Sequence, residues 1–196
     1  MIYCGIEADD SRLYFAPGYV NMPEICGSFG VRGIRHTPYL TDFGAMDYGT
    51  IKLFLAEDDD DDSHFFQRAV REIPVAVDLI RARDGVELMD LLQASGKPDF
   101  VFLDINMPRK NGFQCLSEIR ANCTYTDLPV IVFSTTSADD LVARMYSMGA
   151  NAFIIKPINF KKWRVLIERA ITTDWSTYKP GAGLDGFILT VNEPRI

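Results

Sequence analysis

From residue 51 onward the chain repeats one pattern: a short apolar run, a break, then a longer stretch with apolar residues at helical spacing. The apolar runs predict strands at Ile51 to Ala56, Val75 to Arg81, Phe100 to Asp104, Val130 to Ser134 and Ala152 to Ile155. The intervening stretches predict helices at Ser63 to Ile73, Gly85 to Gln93, Gly112 to Ala121, Ala138 to Met148 and Phe160 to Thr172. In the first helix Phe65, Phe66, Ala69, Val70 and Ile73 are expected on one face. Strands that are apolar throughout, alternating with helices, are parallel, central and covered on both faces. The expected fold is α/β, a doubly wound five-stranded parallel sheet with helices on both faces. Such sheets carry their sites beyond the carboxyl ends of the strands.

The rest of the chain reads differently. Residues 1–50 contain Gly18, Pro23, Gly27, Gly30, Gly33 and Pro38 and hold no period for long. They are expected to form a poorly ordered extension with a short strand or two, and Met46 is an alternative start. Residues 51–173 form the regular domain. Residues 174–196 form a tail in which Trp175, Tyr178, Phe187 and Ile188 are expected to pack on the domain or on a partner. At that length the tail is not expected to hold a winged-helix, helix-turn-helix or catalytic output domain.

A net charge of −7 argues against a nucleic-acid surface or an anionic membrane as partner, since either needs a basic stripe. No apolar run approaches a membrane span, and the first residues lack the pattern of a secretory signal. Cys4, Cys26, Cys115 and Cys123 stand far apart, with no metal spacing, and are expected to be free thiols in the cytoplasm.

The residues at the predicted strand ends carry chemistry. The first strand runs into Glu57 and Asp58, the third ends in Asp104, the fourth in Ser134 with Thr135, and the fifth runs into Lys156 and Pro157. Two carboxylates about 4 Å apart repel by roughly 4 kcal/mol at an effective dielectric of 20, so three together need a cation or protons. Oxygen ligands favour Mg²⁺. Lys156 and Ser134 remain to hold the oxygens of an incoming anion. Together these groups describe a site that moves a phosphoryl group onto an aspartate.

The stretches LFLAEDD, PDFVFLDINMPRKNG, PVIVFSTTS and GANAFIIKPI, in this order, resemble the receiver domain of two-component response regulators over residues 51–173. The resemblance implies a flavodoxin-like strand order of 2-1-3-4-5. It implies that Asp104 is the phosphoacceptor, that Glu57, Asp58, Asp104 and the backbone carbonyl of Asn106 hold Mg²⁺, and that Lys156 contacts the phosphoryl group. Ser134 becomes the switch hydroxyl and Phe153 the switch aromatic, while Asn106 and Thr136 tune hydrolysis. The Lys156–Pro157 bond is expected to be cis. Glu57 replaces the commoner aspartate, and Phe153 lacks the hydroxyl of the commoner tyrosine. The implied phosphodonor is a histidine kinase or histidine phosphotransfer protein, and the output is contact with a protein target or with a second copy as a homodimer. The likeness extends to small stand-alone receivers, including those partnered with phytochrome-type kinases. The domain is then a phosphoacceptor that catalyses its own phosphorylation and slow dephosphorylation, not an enzyme acting on other substrates.

Other readings fit less well. A haloacid-dehalogenase phosphatase wants a second aspartate two residues after the nucleophile, where this chain has Asn106. An FMN carrier wants a hydroxyl- and glycine-rich loop after the first strand, where this chain has Asp58 to Asp62. A degenerate receiver would lack the acceptor or the lysine. Asp59 to Asp62 read as a solvated acidic run that favours the following helix N-terminus. His36 and His64 read as polar residues without a site, and Trp163 and Trp175 as packing residues.

Overall fold

The computed structural model describes residues 39–40, 46–47, 49–136, 138–175, 184 and 186–191. Most of the extension expected to be poorly ordered over residues 1–50 lies outside the described residues, including Cys4, Cys26 and His36, and so does Tyr178 of the tail. Two short strands, β1 (Tyr39–Leu40) and β2 (Met46–Asp47), pair antiparallel. The main sheet contains β3 (Ile51–Ala56), β4 (Val77–Ala82), β5 (Phe100–Asp104), β6 (Val130–Ser134) and β7 (Ala152–Ile155). All its pairings are parallel and its order is β4-β3-β5-β6-β7, which is 2-1-3-4-5 counted within this sheet.

Strand residues alternate between two apolar layers, as a period of two requires. Phe54, Ala56, Val101, Leu103, Val130, Val132 and Phe153 face one core, completed by α2 (Gly85–Ser95), α3 (Gly112–Ala121) and α4 (Asp139–Ser147). Leu53, Leu55, Phe102, Ile131, Phe133 and Ile154 face the other, completed by α1 (Asp60–Arg71) and α5 (Phe160–Thr172). In that second layer Phe66, Phe102, Phe133 and Trp163 make a run of edge-to-face contacts, with centroids 4.8 to 6.2 Å apart. Of the five apolar residues expected on the inner face of the first helix, Phe65 is 43% exposed. It lies at the rim, tilted against Phe160 and Trp163.

Helix α1 begins at Asp60, three residues before the position that apolar spacing predicts. The cause is local: the Asp59 carboxylate caps the helix, accepting from the N–H groups of Asp61 and Asp62 at 2.8 and 2.9 Å. The acids of the first turn then lie where the helix dipole favours negative charge. Strand β4 begins two residues later than predicted, at Val77.

Beyond α5 the chain returns to the sheet. Phe153 donates its N–H to the Phe187 carbonyl at 2.9 Å and accepts from the Leu189 N–H at 2.8 Å. Phe187 is fully buried between Tyr146 and Phe153, while Leu189 enters the opposite layer. Residues 187–189 thus cover the free edge of β7, which would otherwise present unpaired backbone groups.

Candidate phosphoacceptor site

The carboxyl ends of β3, β5, β6 and β7 bring Glu57, Asp104, Ser134 and Lys156 to one crevice. The Lys156 Nζ lies 2.7 Å from Glu57 Oε2, 2.9 Å from Asp104 Oδ1 and 2.9 Å from Asp62 Oδ2. Its side chain is 6% exposed, those of Glu57 and Asp104 are 2% and 7% exposed, and that of Asp62 is 28% exposed. The ammonium also lies 5.8 Å from the centre of the Phe133 ring.

Asp104 is held by its other oxygen, which accepts from the Asn106 N–H at 2.7 Å. Gly112 lets the chain close beneath it: a Cβ there would stand 2.5 Å from the Asp104 carbonyl oxygen and 2.9 Å from the Ile105 Cα. Ser134 is fully buried, its Oγ accepting from the Thr136 N–H at 3.3 Å. The backbone of Lys156 is tied to the same strand end, its N–H donating to the Ser134 carbonyl at 2.7 Å. Trp163 donates its indole N–H to the Pro157 carbonyl at 2.6 Å and lines a cavity of about 240 Å³ beside Lys156 and Asp62.

The Lys156–Pro157 bond is trans, contrary to the expectation; no peptide bond among the described residues is cis. Trans before proline is the ordinary state, favoured by about 0.5–1 kcal/mol, and here it accompanies a lysine that already reaches all three acids.

Burial dominates the titration of Glu57 and pushes its carboxyl up to about 7; Lys156 opposes that shift, while Asp104 and Asp62 add to it. Burial also disfavours the Lys156 ammonium, but hydrogen bonding and attraction from Glu57 and Asp104 outweigh it and hold its pKa above the ordinary value. The two shifts pull in different senses on one ion pair. Three carboxylates facing one ammonium keep Lys156 charged.

Glu57, Asp58 and Asp104 can each aim one oxygen so that all three lie within 4.8 Å of one another, with Asp58 on the exposed side. An all-oxygen set with one open flank suits a hard divalent cation that keeps part of its water shell. The chemistry of the donors therefore fits a metal of the Mg²⁺ type.

Two residues escaped the sequence reading. Asp62 belongs to the run read as solvated, yet it is the third acid on Lys156. Asp84, buried at the N-cap of α2, accepts from Val86 and Glu87 N–H and pairs with Arg109 in the loop after Asp104. A cap followed by glycine was the only signal for Asp84, and Asp62 had none. Phe153, the expected switch aromatic, has no exposed surface.

A doubly wound parallel sheet of order 2-1-3-4-5, with acids, a hydroxyl and a lysine meeting at its strand ends, defines a flavodoxin-like α/β domain with an acidic, lysine-bearing site. Residues 53–168 match the family model described as the response regulator receiver domain. The response regulator Rcp1 of Synechocystis is 32% identical over 115 residues, covering 56% of this chain and 78% of that protein. The crystal structure of the phosphorylated cyanobacterial phytochrome response regulator RcpA superposes with a TM-score of 0.58 at 30% identity, covering 66% of this chain and 96% of that one. The Mn²⁺-bound form of Rcp1 gives the same TM-score at 28% identity, covering 66% of this chain and 97% of that one. This chain belongs to the response regulator receiver family, whose members act in two-component signalling through histidine kinases and downstream targets. Among the described residues no helix is long and apolar enough to cross a membrane.

Proposed function

We propose that the chain accepts a phosphoryl group on Asp104 from the phosphohistidine of a histidine kinase or phosphotransfer protein, in a Mg²⁺-dependent reaction. The observation that carries the reading is the meeting of one buried ammonium, Lys156, with Asp104 and Glu57 at the ends of three separate strands. An Asp104 carboxylate oxygen attacks phosphorus, forming the O–P bond as the N–P bond to the donor imidazole breaks. The leaving imidazole keeps the electron pair. Lys156 exchanges a carboxylate partner for a phosphoryl oxygen, and the Asn106 N–H keeps Asp104 oriented. Glu57, Asp58, Asp104 and the Asn106 carbonyl would hold Mg²⁺, which when bound offsets the charge of acids and phosphoryl oxygens.

The new charge draws the Ser134 hydroxyl from the Thr136 N–H toward the phosphoryl oxygens. Phe153, on the neighbouring strand, repacks in response and alters the face formed by α4, β7 and α5. Asn106 and Thr136, both exposed at the mouth of the site, set access of water to the acyl phosphate. Output is by contact with a protein target or a second copy.

The test is intact mass after incubation with Mg²⁺ and a small phosphodonor. Wild type is expected to gain about 80 Da as a labile adduct, and Asp104→Asn to gain nothing. A folded wild type that binds Mg²⁺ yet gains no mass would refute phosphoacceptance and leave a binding module.

A further inference from the structure

We infer that Arg81 is a positioning residue for the metal-binding acids, and that its guanidinium fixes the loop carrying Glu57 and Asp58 before any cation arrives. The inference rests on the proposed Mg²⁺ reading of the site.

Arg81 stands on β4 opposite Leu55 of β3, so it rises beside the strand that delivers the acids. Three guanidinium nitrogens reach the loop that follows. Nε donates to the Glu57 carbonyl at 3.0 Å, Nη2 to the Asp58 carbonyl at 3.1 Å and Nη1 to Asp60 Oδ1 at 2.6 Å. The Arg81 side chain is only 17% exposed, so its Nε bond to the Glu57 carbonyl is partly buried, while the Asp60 carboxylate stands in solvent at 81% exposed. A planar fork with fixed donor directions sets several acceptors at once, which an ammonium on a flexible stem does not.

The loop is stapled elsewhere too. The Glu57 N–H donates to the Ala82 carbonyl at 3.0 Å, and Asp59 caps α1. With the Glu57 and Asp58 carbonyls turned to Arg81, their carboxylates are left to converge with Asp104. Partners that orient ligands in this way typically contribute 10- to 100-fold in metal affinity.

Charge alone predicts the reverse. A guanidinium beside a cation site repels the cation, so its removal would tighten binding. The two effects oppose each other, and the sign of the change decides between them.

The experiment compares full-length wild type, Arg81→Ala, Arg81→Lys and Asp60→Asn. Mg²⁺ affinity is read by tryptophan fluorescence, which Trp163 beside Lys156 makes sensitive to the site. Amide hydrogen exchange over residues 57–62 is followed in the metal-free proteins. Both Arg81 variants are expected to bind Mg²⁺ about tenfold or more weakly, with faster exchange in the loop. Asp60→Asn, which keeps both carbonyl contacts, is expected to stay within about twofold. If Arg81→Ala fails to fold, Arg81→Lys carries the test, because it retains the charge and loses the fork. Unchanged affinity in Arg81→Lys, or tighter binding in Arg81→Ala, overturns the inference. A wild type that binds no Mg²⁺ overturns the metal reading and the inference with it, while loop exchange still reports whether Arg81 holds the backbone.

Discussion

Replacing Phe187 by alanine separates a tail that belongs to the core from one that merely lies on it. The ring is fully buried, 5.3 Å from the centroid of Tyr146 and 6.3 Å from that of Phe153. Its own carbonyl receives the Phe153 N–H. Truncating a buried phenylalanine costs about 3–5 kcal/mol where the surroundings do not collapse. A terminal segment can instead peel away, which caps the loss at the free energy of docking the tail, so the lower end, about 3 kcal/mol, is expected. For a domain of this size roughly 3–4 °C of melting temperature accompanies each kcal/mol, giving a fall of about 10 °C. Thermal unfolding followed by circular dichroism measures it, with Leu184→Ala as the control. Leu184 is 36% exposed, and its truncation is expected to stay within about 0.5 kcal/mol. Equal, small shifts in the two variants would refute the reasoning, because the edge of β7 would then be stable without Phe187.

Two further predictions follow from the site. In the metal-free protein the raised Glu57 pKa means that the fold binds a proton the unfolded chain has released. Its stabilising contribution is complete below about 4.5 and is lost as pH rises through about 7. The melting temperature in a chelator is therefore expected to fall across that window in wild type and to fall less in Glu57→Gln; identical slopes would rule out Glu57 as the source. Gly112→Ala drives a Cβ into backbone atoms of Asp104 and Ile105 that have little room to move. A loss of about 1–3 kcal/mol in chemical denaturation, with slower phosphoryl uptake by intact mass, is the expected result.

The fold was legible because its signal is local. Runs such as Val130 to Phe133, apolar at every position, announce strands buried on both faces, and the helices between them force parallel crossovers. Glu57, Asp104 and Lys156 were legible because topology alone carries strand ends to one edge of the sheet. Asp62 was not, because it meets Lys156 across 94 residues and only after the Asp59 cap starts α1 early. That early start turns the acidic run so that one member faces the site.

Arg81 and Arg83 look alike in the sequence, two positions apart in one basic stretch. Only pairing of β4 with β3 puts the first of them against the carbonyls of Glu57 and Asp58, 24 and 23 residues away. The tail behaves in the same way. Its aromatic and aliphatic residues mark it as apolar, but its place on β7 depends on an edge that exists only once five strands have assembled. The order of elements was therefore determined by the chain's own periodicity, and the chemistry at the strand ends by which residues stand there. Which acid holds the lysine, which arginine steadies the acids, and what covers Phe153 were decided by tertiary contact, because each needs partners that only folding brings within hydrogen-bonding distance.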